Sequence, residues 1–335
     1  MIDFQKLSEI ILNNNSFLVT THVNPDADAI GSEVAFGNIL RELNKEYFII
    51  NHSETPYNLL FLDKKNEIQQ YDAGKHNFIF DKVDVLVCLD FNRSDRVVSM
   101  RDSFIKSKKT KIVIDHHTDP EKFCDYYFID QAFSSTGEII YHLIKRTSIV
   151  KMNYELAYPI YAAIMTDTGS FRFEKTNSAL HLIAAELLNE GVIPSEVYDK
   201  IFDQSQFGKI KLLGNALNSL KLFGKQEQIG YMIITQNDFS KFNALESDTD
   251  GFVNFALSIK GVTVGLLFIE LKDGFKVSFR SKGNIPVNEI AKQWGGGGHL
   301  NASGARLKEK FTEKFVYEIL DQTEKYITEK GSTNV

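Results

Sequence analysis

Two apolar, β-branched runs, residues 83–90 and 110–115, each stop on an aspartate, Asp90 and Asp115. Strands this continuously apolar are buried on both faces, as in a parallel sheet covered by helices and unlike an antiparallel sheet with one wet face. An aspartate at the carboxyl end of such a strand lies where open α/β sheets hold their ligands. The surrounding segments agree. Residues 4–12 have helical spacing, 16–21 form a strand-like run ending at His22, 28–43 read as a helix with a small-residue face, and 46–51 as a strand. Residues 135–146, 154–166 and 178–190 read as helices. The pattern predicts an α/β chain whose first half is a parallel sheet with flanking helices.

Gly191-Val192-Ile193-Pro194 punctuates the chain, and residues 196–222 read as a charged, connecting helical hairpin. Beyond it, strand-like runs at 229–235, 262–271 and 275–280 and a last helix near 312–326 predict a smaller α/β unit. The expected division is a metal-binding catalytic domain over 1–190, a helical linker over 191–222 and a substrate-binding domain over 223–335. A chain of 335 residues with 43% hydrophobic content can fill two such cores. No run of about 18 apolar residues and no leader pattern is present, so a cytoplasmic protein with no membrane partner is expected. Of the two cysteines, Cys88 sits inside an apolar run and reads as a buried, inert thiol.

The net charge of −6 argues against a groove for long duplex nucleic acid. Between Lys260 and Lys310, however, nine Lys/Arg stand against four Asp/Glu, an excess of five that suits a small anionic ligand.

The first chemical cluster is Thr21-His22-Val23-Asn24-Pro25-Asp26-Ala27-Asp28, where a strand turns into a helix. One carboxylate suffices to cap that helix, so a second carboxylate and a histidine call for another role. Asp90 and Asp115 end strands of the same sheet, Asp115 is followed at once by His116 and His117, and Asp167 ends an apolar helix. Carboxylates that meet near one point repel unless cations neutralise them. Mixed His/Asp donors favour borderline divalent ions such as Mn²⁺.

In order, spacing and strand context, these segments resemble the four motifs of the DHH phosphoesterase superfamily. The resemblance implies that His22, Asp26 and Asp90 hold one Mn²⁺, and that Asp28, Asp90, His116 and Asp167 hold a second, with Asp90 bridging. It places Asp115 behind the site and His117 toward the phosphate. A ligating histidine needs a carboxylate or carbonyl partner to set its tautomer, which suits Asp115. Two-metal chemistry of this kind delivers an activated water to phosphorus in line, with His117 as general acid or as charge stabiliser.

In the second half, Gly295-Gly296-Gly297-Gly298-His299 lets backbone N–H groups approach an anion and adds an ionisable donor. It resembles the glycine-rich signature of the DHHA1 domain, and Arg280-Ser281 matches the pair that this domain uses to hold nucleotides. Arg280, Ser281, Gly296, Gly297, Gly298, His299 and, after Asp90, Arg96 are therefore the candidate substrate-binding residues, with the active site expected in the cleft between domains. Trp294 reads as core packing in preference to base stacking.

The whole is similar to the nanoRNase/pAp-phosphatase branch. That branch degrades short RNA oligonucleotides to mononucleotides and removes the 3′-phosphate of 3′,5′-bisphosphoadenosine. A close neighbour hydrolyses cyclic di-AMP or its linear dinucleotide. The resemblance also implies a homodimer, although no interface stripe shows in the sequence. Pro120 and the bulky Phe133 in Ala132-Phe133-Ser134-Ser135 depart from the family pattern. The rival readings are a manganese pyrophosphatase or exopolyphosphatase, and a catalytically silent nucleotide-binding module.

Overall fold

The two aspartate-ended runs lie side by side as parallel strands in the computed structural model, which describes residues 2–331. The chain divides into two units, the first running to Gln204 and the second starting at Ser205. The first unit begins with α1 (Phe4–Asn13), β1 (Ser16–Thr20), α2 (Ala27–Glu42), β2 (Glu46–Asn51) and β3 (Ile68–Gln70). Two short helices, α3 (Ala73–His76) and α4 (Ile79–Lys82), lead to β4 (Val85–Leu89), α5 (Arg101–Lys106), β5 (Thr110–Asp115) and β6 (Tyr126–Ile129). Four helices complete it: α6 (Thr136–Thr147), α7 (Tyr154–Asp167), α8 (Ser178–Asn189) and α9 (Pro194–Phe202).

The six strands are all parallel and run in the order β3-β2-β1-β4-β5-β6. The order reverses between β1 and β4, so the loops leaving those two strands part and open a crevice at their carboxyl ends. His22 leaves β1 there and Asp90 leaves β4. Strand alternation explains the apolar runs. Phe17, Val19, Val85, Val87, Leu89, Ile112 and Ile114 pack into the core under α1, α2, α6 and α7. Leu18, Leu86, Cys88 and Val113 point the other way, against Phe80, Met100 and Phe104. Cys88 is fully buried, as its apolar setting predicts.

Helices α2 and α7 cross at close range because Gly31 carries no side chain. A Cβ there would lie 2.5 Å from the Pro159 carbonyl oxygen and 3.3 Å from the Ala163 Cβ. Pro159 sits inside α7 and has no N–H to give to the carbonyl of Glu155. Asn38 of α2 supplies the missing donor, its Nδ2 reaching that carbonyl at 2.7 Å.

The second unit contains α10 (Phe207–Asn218), β7 (Lys221–Phe223), β8 (Ile229–Ile234), α11 (Gln236–Phe242), α12 (Val253–Leu257) and β9 (Val264–Leu271). It continues with β10 (Gly274–Ser281), α13 (Val287–Gln293), β11 (Gly297–His299), β12 (Ala302–Leu307) and α14 (Glu313–Gly331). Its sheet runs β11-β12-β10-β9-β8-β7, antiparallel except for the β8–β9 pair. One face packs Phe275, Val277 and Phe279 against Ile290 and Ile319, with Trp294 at the edge of that core. The other packs Leu267 and Ile269 against Leu212, Val253 and Ala256.

The segment expected as a helical hairpin over 196–222 contains two helices and ends in a strand. α9 stops at Phe202, α10 starts at Phe207, and residues 221–223 pair with β8 as a strand. β11 and β12 also lie outside the expected strands, because Gly, Ala and Ser carry little strand preference of their own. Among the described residues, no helix is long and apolar enough to cross a membrane.

Gly31→Ala should lower the denaturant midpoint by an amount equivalent to about 1–3 kcal/mol, the usual cost of overpacking a tight contact. A variant as stable as the wild type would show that α2 and α7 can separate freely.

Candidate active site

The crevice collects side chains from four places along the chain. Asp26 caps α2, its Oδ1 accepting from the N–H groups of Asp28 at 3.0 Å and Ala29 at 3.1 Å. The cap turns Asp28 inward, where it is fully buried. There Oδ2 accepts from Thr136 N at 2.8 Å, and Oδ1 accepts from Gly137 N at 2.9 Å and Ser32 Oγ at 3.2 Å. Gly137 allows this approach, since a Cβ on it would lie 2.5 Å from the Ala163 Cβ.

Asp90 adopts a left-handed backbone, φ 65°, just past the end of β4. A non-glycine residue persists in that region only when its surroundings over-determine it. Its N–H donates to the Ile114 carbonyl at 3.1 Å, and its Oδ1 accepts from Thr136 Oγ1 at 2.9 Å. Thr136 thus holds Asp28 with its backbone and Asp90 with its side chain.

Three histidines meet these carboxylates. His22 places Nε2 3.4 Å from Asp90 Oδ2, while its Nδ1 contacts the Val23 carbonyl at 2.9 Å. His116 places Nε2 3.1 Å from Asp167 Oδ2, 3.4 Å from Asp90 Oδ1 and 3.6 Å from Asp28 Oδ2. That buried nitrogen makes no hydrogen bond to any of the three. Its Nδ1 lies 3.5 Å from Lys175 Nζ, which donates to the Phe133 carbonyl at 2.9 Å. His117 lies beside His116, its Nδ1 2.7 Å from Asp115 Oδ1 and 3.8 Å from Asp90 Oδ1. The histidine that Asp115 contacts is therefore His117.

The electrostatics follow from crowding. Burial, then the nearby Asp90 and Asp167 carboxylates, push Asp28 well above the usual carboxylate range despite its three donors. Burial opposes a charged ring at His116 and His22, but the surrounding carboxylates outweigh it and raise them to about 11 and about 9. Asp90 shows the converse: burial pushes it up, and the contacts with His116 and His22 hold it well below its ordinary value. The pocket is one that attracts positive charge.

Its donor atoms suit divalent cations. His22, Asp26 and Asp90 offer one group of ligand atoms within 4.8 Å of one another, and Asp28, His116 and Asp167 offer a second. A third such group joins Asp90, Asp115, His116 and His117. An imidazole nitrogen that faces three carboxylates without a hydrogen bond is placed as a ligand to an ion would be. The six residues predicted from sequence are thus brought together.

Two supporting residues escaped the sequence reading. Asn51, at the end of β2, accepts from Thr21 N at 3.0 Å and donates from Nδ2 to Glu33 Oε2 at 2.8 Å. Glu33 is fully buried on α2, and its Oε1 has no partner. Burial raises its carboxyl from 4.5 to about 8, with the Asn51 bond and His22 only partly offsetting it. Thr136 and Gly137 escaped as well, although the Ser134-Ser135-Thr136-Gly137 run is a capping sequence that could have been followed to its N–H groups.

Arg96 is exposed, and its carbonyl accepts from Val23 N at 2.8 Å, tying its turn to the His22 loop. The remaining predicted residues lie in the second unit. Antiparallel pairing aligns His299 with Ala302 and Ala302 with Arg280, so the imidazole and the guanidinium share one sheet face across a small residue. Arg280 is half-buried; burial lowers its pKa, with Asp250 opposing the shift. Ser281 points to the opposite face, buried, its Oγ donating to the Ile285 carbonyl at 2.6 Å and accepting from Asn301 Nδ2 at 2.9 Å. Gly296 and Gly298 are pressed against β12, where a Cβ would meet the Gly304 carbonyl oxygen at 2.1 Å and the Ala302 carbonyl oxygen at 2.6 Å. The Gly296 N–H closes the end of α13 on the Ala291 carbonyl at 2.8 Å, while Gly297 has open space before it.

Residues 16–165 match the N-terminal domain of the DHH family, and residues 229–329 match the DHHA1 domain. The chain is 30% identical over 319 residues to a bifunctional oligoribonuclease and PAP phosphatase NrnA of Thermus thermophilus, covering 93% of this chain and 90% of that one. Its Bacillus subtilis counterpart of the same name is 29% identical over 88% of this chain and 90% of its own length. Among solved structures, an exopolyphosphatase-related protein from Bacteroides fragilis superposes with a TM-score of 0.91 at 31% identity, covering 97% of this chain and 96% of that one.

Stability against pH should report the state of Glu33. A carboxyl raised in the folded state contributes stability that is fully present below pH ~4.5 and is lost as pH rises toward ~8, by at most ~1.4 kcal/mol per pH unit. Glu33→Gln should flatten that decline between pH 5 and 8 when both proteins are measured at the same metal loading. Parallel curves would mean that Glu33 is ionised in the fold.

Proposed function

The chain belongs to the DHH family, with a DHHA1 domain as its second unit, and is a phosphoric-ester hydrolase; we propose that it cleaves short oligoribonucleotides to mononucleotides and dephosphorylates 3′,5′-bisphosphoadenosine to AMP. The observation that carries this reading is His116 Nε2, buried and without a hydrogen bond among Asp28, Asp90 and Asp167, beside a second donor group that shares Asp90. We assign His22, Asp26 and Asp90 to one divalent ion, and Asp28, Asp90, His116 and Asp167 to another. The mixed nitrogen and oxygen donors favour Mn²⁺.

Such ions, when bound, lower the pKa of water and stabilise charge on phosphoryl oxygens. The protein's own groups do the rest. Thr136 and Gly137 fix both Asp28 oxygens, and Thr136 Oγ1 fixes Asp90, so the donors need little rearrangement to bind. Asp115 accepts from His117 Nδ1, which leaves Nε2 as the atom from which this ring gives a proton to a phosphoryl or leaving oxygen. Burial opposes the charged form of His117, and contacts with Asp115 and Asp90 outweigh it and raise its pKa. In the second unit, Arg280 and His299 on one sheet face supply the cationic contacts for a nucleotide phosphate. The names of the Thermus and Bacillus relatives support a nucleotide substrate.

The test is a release assay with Mn²⁺ on 3′,5′-bisphosphoadenosine, ribonucleotides of two to five units, cyclic di-AMP, pyrophosphate and polyphosphate. The first two classes should be preferred; preference for pyrophosphate or polyphosphate overturns the nucleotide reading. Asp167→Ala removes a carboxylate that faces His116 across the pocket. It should cost more than the ~10–100-fold typical of residues that merely support a ligand, and should diminish the rise in melting temperature on adding Mn²⁺. Asp28→Asn should behave alike. Near-normal turnover in either variant sinks the metal assignment.

A further inference from the structure

One face of the second sheet is covered over only part of its width. There α10 and α12 pack on Met232, Ile234, Leu267 and Ile269 of β8 and β9. Beyond them, β10 turns Lys276, Ser278 and Arg280 to the same side, and β12 turns Ala302, Gly304 and Arg306, none of them fully buried. Strand register sorts these residues into three rows. His299, Ala302 and Arg280 form the first, Gly297, Gly304 and Ser278 the second, and Arg306 and Lys276 the third. Successive rows are two residues apart, so the first and third are separated by roughly 13 Å.

Each row has its own character. The first is the cationic row already assigned to a nucleotide phosphate. The second, of two glycines and a serine, carries almost no side chain. In the third, Lys276 and Arg306 share one carboxylate, Glu246, at 3.5 Å and 2.5 Å. Two cations on one anion keep a net positive charge, and Glu246 holds them side by side.

We propose that this face is a track for a single-stranded oligonucleotide, on which Lys276 and Arg306 contact a phosphate further along the strand from the one held by Arg280 and His299. The proposal rests on the nucleotide-hydrolase reading and extends it to substrate length. A cation, small-residue, cation sequence at this separation matches a backbone that presents charge at intervals with bulky groups between. A mononucleotide bisphosphate is too short to reach the third row, so Lys276 and Arg306 act only on longer substrates.

The full-length Mn²⁺ enzyme and its Lys276→Gln, Arg306→Gln, double and Glu246→Gln variants test this on 3′,5′-bisphosphoadenosine and on a tetraribonucleotide. In the double variant the ratio of tetranucleotide KM to bisphosphate KM should rise several-fold. The salt dependence of log KM for the tetranucleotide should become shallower by about 0.7 for each cation removed. Glu246→Gln frees both cations and should move the ratio the other way. Polarisation of a labelled tetranucleotide on metal-free protein should show the same order of affinities without any turnover. A wild type that hydrolyses neither substrate overturns the parent reading. A wild type that hydrolyses both, with the ratio and salt slope unchanged in the double variant, overturns the track alone.

Discussion

Asp28 is an anion held between two helix beginnings, and the rest of the first unit is arranged around that fact. It occupies the first turn of α2 and accepts the first N–H groups of α6. Helix N-termini favour negative charge, so both helices help to bury it. Their help is not enough, since burial together with Asp90 and Asp167 still pushes its pKa well up. The pocket therefore favours positive charge, and His116 Nε2 faces the same gap. The small residues follow from the same demand: Gly31, Gly137 and Ala163 let α2, α6 and α7 converge tightly enough for backbone N–H groups to reach one carboxylate.

How much of this was legible depended on whether a position expresses itself through its side chain. The aspartates and histidines announce themselves at the ends of apolar runs, and the reversal of strand order between β1 and β4 brings them together. Thr136 and Gly137 contribute backbone N–H groups, which leave almost no trace in a sequence. Glu33 looks like an ordinary surface charge on a helix, yet it is buried and braces Asn51, because the helix is enclosed on nearly every side. Asp115 contacts His117; a residue's direction past a strand end is set by the turn and not by the order of letters.

The second unit misleads in a complementary way. Arg280 and Ser281 read as a pair in sequence, but the pleat of β10 sends them to opposite faces. Arg280 joins His299 on the half-open side, and Ser281 braces the loop that carries Ile285 and Asn301. The glycine run splits likewise: Gly296 and Gly298 are required by close backbone contact with β12, and Gly295 and Gly297 stand clear.

The two units differ in the sign of the charge they gather. In the first, carboxylates gather around a place for cations; in the second, cations line a face of small residues. The net charge of −6 averages over both and hides the contrast. Each arrangement relies on residues that do no chemistry. Thr136 positions two carboxylates as Glu246 positions two cations, and in each case one uncommitted partner holds like charges at a distance where they would otherwise separate.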